Sequence, residues 1–442
     1  MSVSPLGRRS IGYWSVVSIG IGGMVGGGIF AVLGLAVQLA HGGTPIAFAL
    51  AGIVALITAY SYAKLSVAYP TQGGTVEFLN QAFGPGIFTG GLNVLLWLSY
   101  IVMLSLYAYA FGSYGATFFP ESIQPMLKHI LISAAVILFT CLNVLGAKTV
   151  GRSENYIVAL KIAILCVFLG VGLGSVNIQQ LEPAAWSAPM QLVAGGMIIF
   201  LAYEGFELIA NTAENVRNPR QTLPLAYFSA VGFVICLYVL VSLVTVGNLS
   251  VASIVAAEDY ALAEAARPFL GTIGFTMIAA AALLSTGSAI NATLYGTARI
   301  SYVIAKEGEL PEGLEREVWK RPIEGLLITS ALTLMVANLF DLSRISIMGS
   351  SGFLLIFAAV NVANARLSAA TGSRRWIAAM GAAACLGALA ILIAQRATTS
   401  PMELLVLVVM VGSAFLIETI YRRVTGRSIK SLQRKKRIPG SH

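Results

Sequence analysis

Gly20-Ile-Gly-Gly-Met-Val-Gly-Gly-Gly28 sits in the middle of an apolar stretch running from Ile11 to Gln38, and six of its nine residues are glycine. Glycine costs about 1 kcal/mol per helical position relative to alanine and lets the backbone open. A membrane-spanning helix with this cluster is expected to break at mid-span. Open backbone at that depth is tolerated only inside protein or along a cavity, because lipid satisfies no N–H or C=O group. The break therefore points to a binding site. A competing reading is a close helix-packing face, since Gly22 and Gly26, and Gly23 and Gly27, share the small-xxx-small spacing.

Outward from this cluster the chain keeps the composition of a bilayer-embedded protein. It is 57% hydrophobic and 11% charged, with a mean hydropathy of +0.82, against roughly 25% charged residues in a soluble domain. At about 20 apolar residues per span, twelve transmembrane helices are expected, starting near Ile11, Pro45, Gly86, Ile130, Asn155, Pro189, Leu223, Gly271, Ile323, Ser346, Trp376 and Met402. The fold class is an all-α polytopic membrane protein, with connections mostly too short for a second folded domain. The run after Arg8 and Arg9 is long, glycine-rich and without a small-residue cleavage site, so it is expected to stay in the mature protein.

Most of the 28 Lys and Arg residues then fall on one side, among them Arg152, Arg217, Arg220, Arg374, Arg375 and the tail from Arg422 to Arg437. Only Lys128, Arg267, Arg344 and Arg396 fall on the other, and Lys161 lies within a span. The positive-inside rule puts both termini in the cytoplasm, and it accounts for the net charge of +9 without nucleic acid. The basic tail reads as a topology anchor, with anionic headgroup binding, at about 1 kcal/mol per basic residue, as a second reading. Cys141, Cys166, Cys236 and Cys385 stand alone in apolar runs with no metal or redox spacing and read as small core residues.

A second interruption follows Pro189, in Ile198-Ile-Phe-Leu-Ala-Tyr203-Glu204-Gly205-Phe206-Glu207. Two mid-span carboxylates would each cost roughly 3 kcal/mol on a lipid-facing helix, so they are expected to face protein or water. Interrupted spans at comparable positions in two halves point to a transporter site between them. Lys161 interrupts a further span, Tyr156-Ile-Val-Ala-Leu-Lys161-Ile-Ala-Ile-Leu-Cys-Val-Phe-Leu. It reads either as a functional group able to take up and release a proton or as a snorkelling lysine about 13 Å along the helix from Arg152. Trp97, Tyr100 and Tyr107 line a path or simply pack. Glu258, Asp259, Glu264 and Arg267 mark an external loop, and Lys306 to Arg321 a cytoplasmic one. His41 and His129 read as loop residues, and no His-Glu-x-x-His or paired-aspartate motif occurs, so no catalytic residue, metal or cofactor is expected. A channel would show a repeated pore filter instead of two unlike breaks.

Three motifs carry a resemblance: Gly22-Gly-Met-Val-Gly26-Gly27-Gly28-Ile-Phe30; Tyr203-Glu-Gly-Phe-Glu207 with Glu214-Asn-Val-Arg-Asn-Pro219; and Asn291-Ala-Thr-Leu-Tyr-Gly-Thr-Ala-Arg299 with Ala305-Lys-Glu-Gly-Glu-Leu-Pro311. From about Gly12 to Tyr421 the chain resembles the amino acid, polyamine and organocation (APC) transporter superfamily. It is most similar to the proton-coupled, broad-specificity amino acid transporters of archaea and bacteria. The resemblance implies a LeuT-like five-plus-five inverted repeat, residues 11–174 and 189–366, with helices 1 and 6 unwound. Two accessory helices over 376–421 and a basic tail, 422–442, complete the chain.

The same resemblance implies roles. The substrate carboxylate would lie on the N–H groups of Gly26, Gly27 and Gly28, where a half-helix offers its positive end. The ammonium would lie on carbonyls near Met24, Leu201 and Glu204, with Gly205 at the second break. Lys161 would stand where sodium-coupled members hold a sodium ion, with the Gly22 carbonyl and the hydroxyls of Ser285 and Thr286 as partners and Ser288 as a further candidate. Charged, it would tie the first and eighth spans together; neutral, it would let them part. Two positions depart from the pattern: Leu201 replaces an aromatic gate and Gly27 a small polar residue. Loss of the aromatic removes a stacking surface and favours broad neutral amino acids, while Glu204 and Glu207 keep arginine, lysine or a polyamine open. Hydrogen bonding of both carboxylates to the unwound backbone or an inner helix is a further reading. The implied activity is sodium-independent symport of an amino acid with a proton, by alternating access, in the plasma membrane. Its implied partners are substrate, protons and the lipid bilayer, with no obligatory protein partner. A proton-independent exchanger is the alternative, since some exchangers of the superfamily carry a lysine at this place.

Overall fold

A 30-residue apolar helix such as Ile87–Ala116 rises about 45 Å, enough to cross a hydrocarbon core of about 30 Å, and helices of this kind make up the molecule. The computed structural model describes residues 10–145, 150–306 and 323–425. The cytoplasmic loop expected from Lys306 to Arg321 lies outside them from residue 307 on, and the basic tail expected over 422–442 lies outside them from residue 426 on. Among the described residues ten helices are long and apolar enough to cross a membrane, and the bent pair Tyr13–Met24 and Gly28–Ala40 makes an eleventh. The shorter apolar helix Ile323–Leu339, 17 residues long, stands at the ninth expected position. Local chemistry sets the ends. Pro189, Pro219 and Pro401 open their helices, where a missing N–H removes no bond. Asp341 caps the tenth span, Leu342–Arg366, by accepting from Arg344 N at 2.9 Å.

The first and sixth spans run antiparallel as neighbours, pinned at both faces. At one face Ser10 N donates to Asn215 O at 3.0 Å and Arg217 N to Ile11 O at 2.9 Å; at the other, Gly42 N donates to Ala185 O at 3.1 Å beside a His41–Trp186 bridge. Between these pins the two backbones touch. A Cβ on Gly205 would lie 2.2 Å from Gly23 C, and one on Gly28 would lie 2.7 Å from Ala202 Cα, so only glycine fits where the spans cross.

The third span, Ile87–Ala116, is buried on nearly every side among the fourth (Gln124–Leu145), eighth (Arg267–Lys306), tenth and twelfth (Pro401–Thr425) spans, as expected of a helix apolar all round. Polar core residues pair across helices. Ser61 Oγ donates to Asn361 Oδ1 at 2.7 Å and Asn361 Nδ2 to Thr58 Oγ1 at 3.0 Å, joining the second span, Thr44–Ala68, to the tenth. Two expectations need correction. Of the four cysteines only Cys385 is buried, whereas Cys141, Cys166 and Cys236 are exposed, since lipid suits a small apolar side chain as well as the core does. His129 lies within the fourth span, its Nδ1 3.0 Å from Asn338 Oδ1.

Candidate functional site

In the first span the α-helix stops at Met24 and resumes at Gly28 with a 46° bend. Gly26 N turns to Gly23 O at 3.3 Å, which removes the helical partner of Gly22 O, and Lys161 Nζ donates to that carbonyl at 3.3 Å. Met24 O accepts from Tyr238 OH at 2.6 Å. Ser285 Oγ reaches Val25 O at 2.8 Å and also bonds Gly26 O. Carbonyls opened by the break are thus met by side chains of the fifth (Val150–Gly172), seventh (Pro219–Asn248) and eighth spans, which is how a bilayer-depth break avoids unpaired backbone. The N–H groups of Gly28, Ile29 and Phe30 then head a half-helix, the end that favours an anion.

The sixth span is α-helical over Pro189–Ile198 and winds as a 3₁₀-helix over Phe200–Asn215, a long run for that geometry. Ser350 of the tenth span bridges the junction, its Oγ accepting from Leu201 N at 3.1 Å and donating to Ile198 O at 2.8 Å. Tyr238 OH lies 3.3 Å from Ala202 O as well, so one hydroxyl touches both breaks. Neither Ser350 nor Tyr238 stands out in the sequence; each is a polar group in an apolar run whose partner is backbone far along the chain. Ser350→Ala is expected to destabilise the protein by about 1–3 kcal/mol, because it leaves buried backbone groups without a partner. A lower melting temperature in detergent checks this.

The two carboxylates differ. Glu207, 1% exposed, accepts from Tyr62 OH at 3.1 Å and Thr75 Oγ1 at 3.2 Å through one oxygen, and from Tyr100 OH through the other. It is enclosed by hydroxyls of neighbouring helices. Glu204, 2% exposed, has an oxygen, Oε2, with no hydrogen-bond partner among the described residues. It lines a cavity of about 50 Å³ together with Gly22, Gly23, Tyr100, Tyr107 and Ser288.

Of the expected coupling set, Lys161, Gly22 and Ser285 meet at the break. Lys161 is 1% exposed with Nζ turned to Gly22 O, so it does not extend along its helix to the surface. Its bond to Gly22 O joins the fifth span to the first, and the eighth reaches the break through Ser285. Thr286 Oγ1 donates to Ala282 O of its own helix at 2.7 Å, as a hydroxyl in a helix readily does, and its methyl faces Gly27. Gly27 is also covered by the Tyr107 ring, 2.4 Å from where a Cβ would lie. Of the expected substrate set, Glu204 lines the cavity, whereas Met24, Gly26, Gly27, Gly28, Leu201 and Gly205 do not. The Leu201 side chain packs on Gly349, and Gly28 and Gly205 close on Ala202 and Gly23. Trp97 Nε1 donates to Thr329 Oγ1 at 3.1 Å, a packing role. Side-chain bonds stand toward both faces. Lys128 pairs with Asp259 at 3.1 Å near one, and Arg299 bonds Gln72 near the other.

Among the described residues no cluster of His, Cys, Asp and Glu could hold a metal ion. A family model described as amino acid permease matches residues 11–415. The chain is 36% identical over 427 residues to an uncharacterised protein of Methanocaldococcus jannaschii, covering 96% of this chain and 98% of that one. It is 36% identical over 367 residues to the inner membrane transport protein YbaT of Escherichia coli, covering 82% and 84%. It is 27% identical over 380 residues to the methylthioribose transporter of Bacillus subtilis, covering 80% of each.

Proposed function

The chain belongs to the amino acid permease family, and from that premise we propose that it imports amino acids together with protons, without sodium, by alternating access. Amino acid transport across a membrane is its general activity. The observation that carries the finer reading is Lys161, buried at 1% exposure with Nζ 3.3 Å from Gly22 O. A protonated amine makes a charge-assisted bond to a carbonyl, roughly twice as strong as a neutral one. Loss of the proton weakens the tie between the fifth span and the first half of the broken one. Ser285 remains as the tie to the eighth. Protonation thereby biases one conformation over another, and a bias of about 1.4 kcal/mol is a tenfold shift in population.

Substrate enters with its carboxylate on the N–H groups of Gly26, Gly27 and Gly28 and its ammonium near Met24, Leu201 and Glu204. The Gly23–Gly205 and Gly28–Ala202 contacts part to admit it. Recognition of this kind reads the α-amino acid group and leaves the side chain to the walls, in keeping with a broad neutral range. The antiparallel pairing of the first and sixth spans supports an inverted repeat over residues 11–174 and 189–366. The distribution of basic residues supports cytoplasmic termini in a plasma membrane.

Purified protein in sodium-free liposomes with an inward proton gradient is expected to accumulate members of a labelled amino acid panel, and a protonophore is expected to collapse that accumulation. Uptake only into liposomes preloaded with amino acid would mean exchange and would overturn the proton-coupled reading.

A further inference from the structure

We propose that Glu204 gives the cavity beside the two breaks a subsite for a primary ammonium group carried by the transported substrate; this rests on the amino acid transport reading above. Glu204 and Glu207 lie three residues apart and are almost fully buried. Glu207 is held by three hydroxyls. Glu204 Oε2 has no hydrogen-bond partner among the described residues, and the residue lines the cavity. A buried carboxylate oxygen without a donor is costly, so the site is completed by a ligand that donates. Among the described residues that line the cavity Glu204 is the one with a carboxyl group, and no lysine or arginine is among them. A cation is therefore the ligand its charge selects.

Size and surroundings agree. At roughly 10–15 Å³ per water centre, a cavity of about 50 Å³ admits a few water-sized groups, and an ammonium head is of that size. Tyr100 and Tyr107 contribute aromatic surface and Ser288 a hydroxyl, and aromatic rings attract cations. Two sources supply this chemistry: the α-ammonium common to all amino acids, and the side-chain ammonium of a basic one.

L-norleucine and L-lysine separate the sources, since lysine is norleucine with one added terminal ammonium. Their apparent affinities are read from ligand-induced thermal stabilisation of the purified full-length protein and of Glu204→Gln. The proposal expects a loss of at least tenfold in the variant. A loss for both probes assigns the α-ammonium, and a loss for lysine alone assigns the side-chain ammonium and a basic substrate class. Affinities within twofold of wild type for both probes overturn the Glu204 subsite while leaving amino acid binding intact. A wild-type protein that binds neither probe overturns the subsite and the amino acid reading together. If the amide variant does not fold, Glu204→Asp, whose carboxylate is withdrawn by one methylene, gives the same two-sided result.

Discussion

Lys161→Ala is expected to abolish proton-driven accumulation, bringing uptake in sodium-free proteoliposomes down at least tenfold to the level of simple equilibration. The substitution removes the donor to Gly22 O, the carbonyl released when Gly26 N turns to Gly23 O, and with it the group that titrates in the proposed coupling. Leaving that carbonyl unpaired in the core costs about 1–3 kcal/mol, so the melting temperature falls as well. Lys161→Met keeps an apolar stem without the charge and separates packing from coupling. It is expected to recover the packing share of the stability, to leave Gly22 O as unpaired as alanine does, and to remain uncoupled. Exchange of amino acid across the membrane is expected to persist in both variants and to lose its dependence on pH. Uptake that keeps its wild-type pH dependence in Lys161→Ala would remove Lys161 from the coupling mechanism.

Gly205→Ala is expected to cost at least tenfold in uptake. The added methyl would lie 2.2 Å from Gly23 C, 2.4 Å from Met24 N and 2.7 Å from Gly23 Cα. All three are backbone atoms, so no rotamer relieves the contact. Overpacking of this kind typically costs 1–3 kcal/mol, and here it pushes apart the two broken spans. Gly232→Ala is the matched control: a Cβ there meets nothing within 4 Å, and in the seventh span alanine is the better helix former. Its uptake is expected to stay within twofold of wild type. Wild-type uptake and melting temperature in Gly205→Ala would show that the two breaks do not need this close approach.

The break in the first span is legible in the sequence because the consequence of glycine is local: a cluster of residues without Cβ weakens the helix wherever it lies. The spans are legible for a similar reason, each being a long apolar run with its own start signal. Partner identity is not local. Tyr238 meets Met24 O from 214 residues away and Ser350 meets Ile198 O from 152, and a backbone carbonyl leaves no mark in the sequence of its partner. Glu204 and Glu207 are the same residue type on one short segment. Only the placement of Tyr62, Thr75 and Tyr100 makes one of them satisfied and the other open to the cavity. Thr286 lies beside Ser285, yet one hydroxyl points to the break and the other back into its own helix, a difference of rotation that residue type does not encode. The outward cysteines follow from a solvent that makes apolar exposure costless.

Proton movement itself is the most direct test of coupled import. A pH-sensitive dye is sealed in sodium-free proteoliposomes with no imposed gradient, and a transported amino acid is added outside. With coupled import the lumen is expected to acidify as the amino acid enters, and Lys161→Ala liposomes are expected to show no such change. Entry of amino acid into wild-type liposomes with the internal pH unchanged would contradict it.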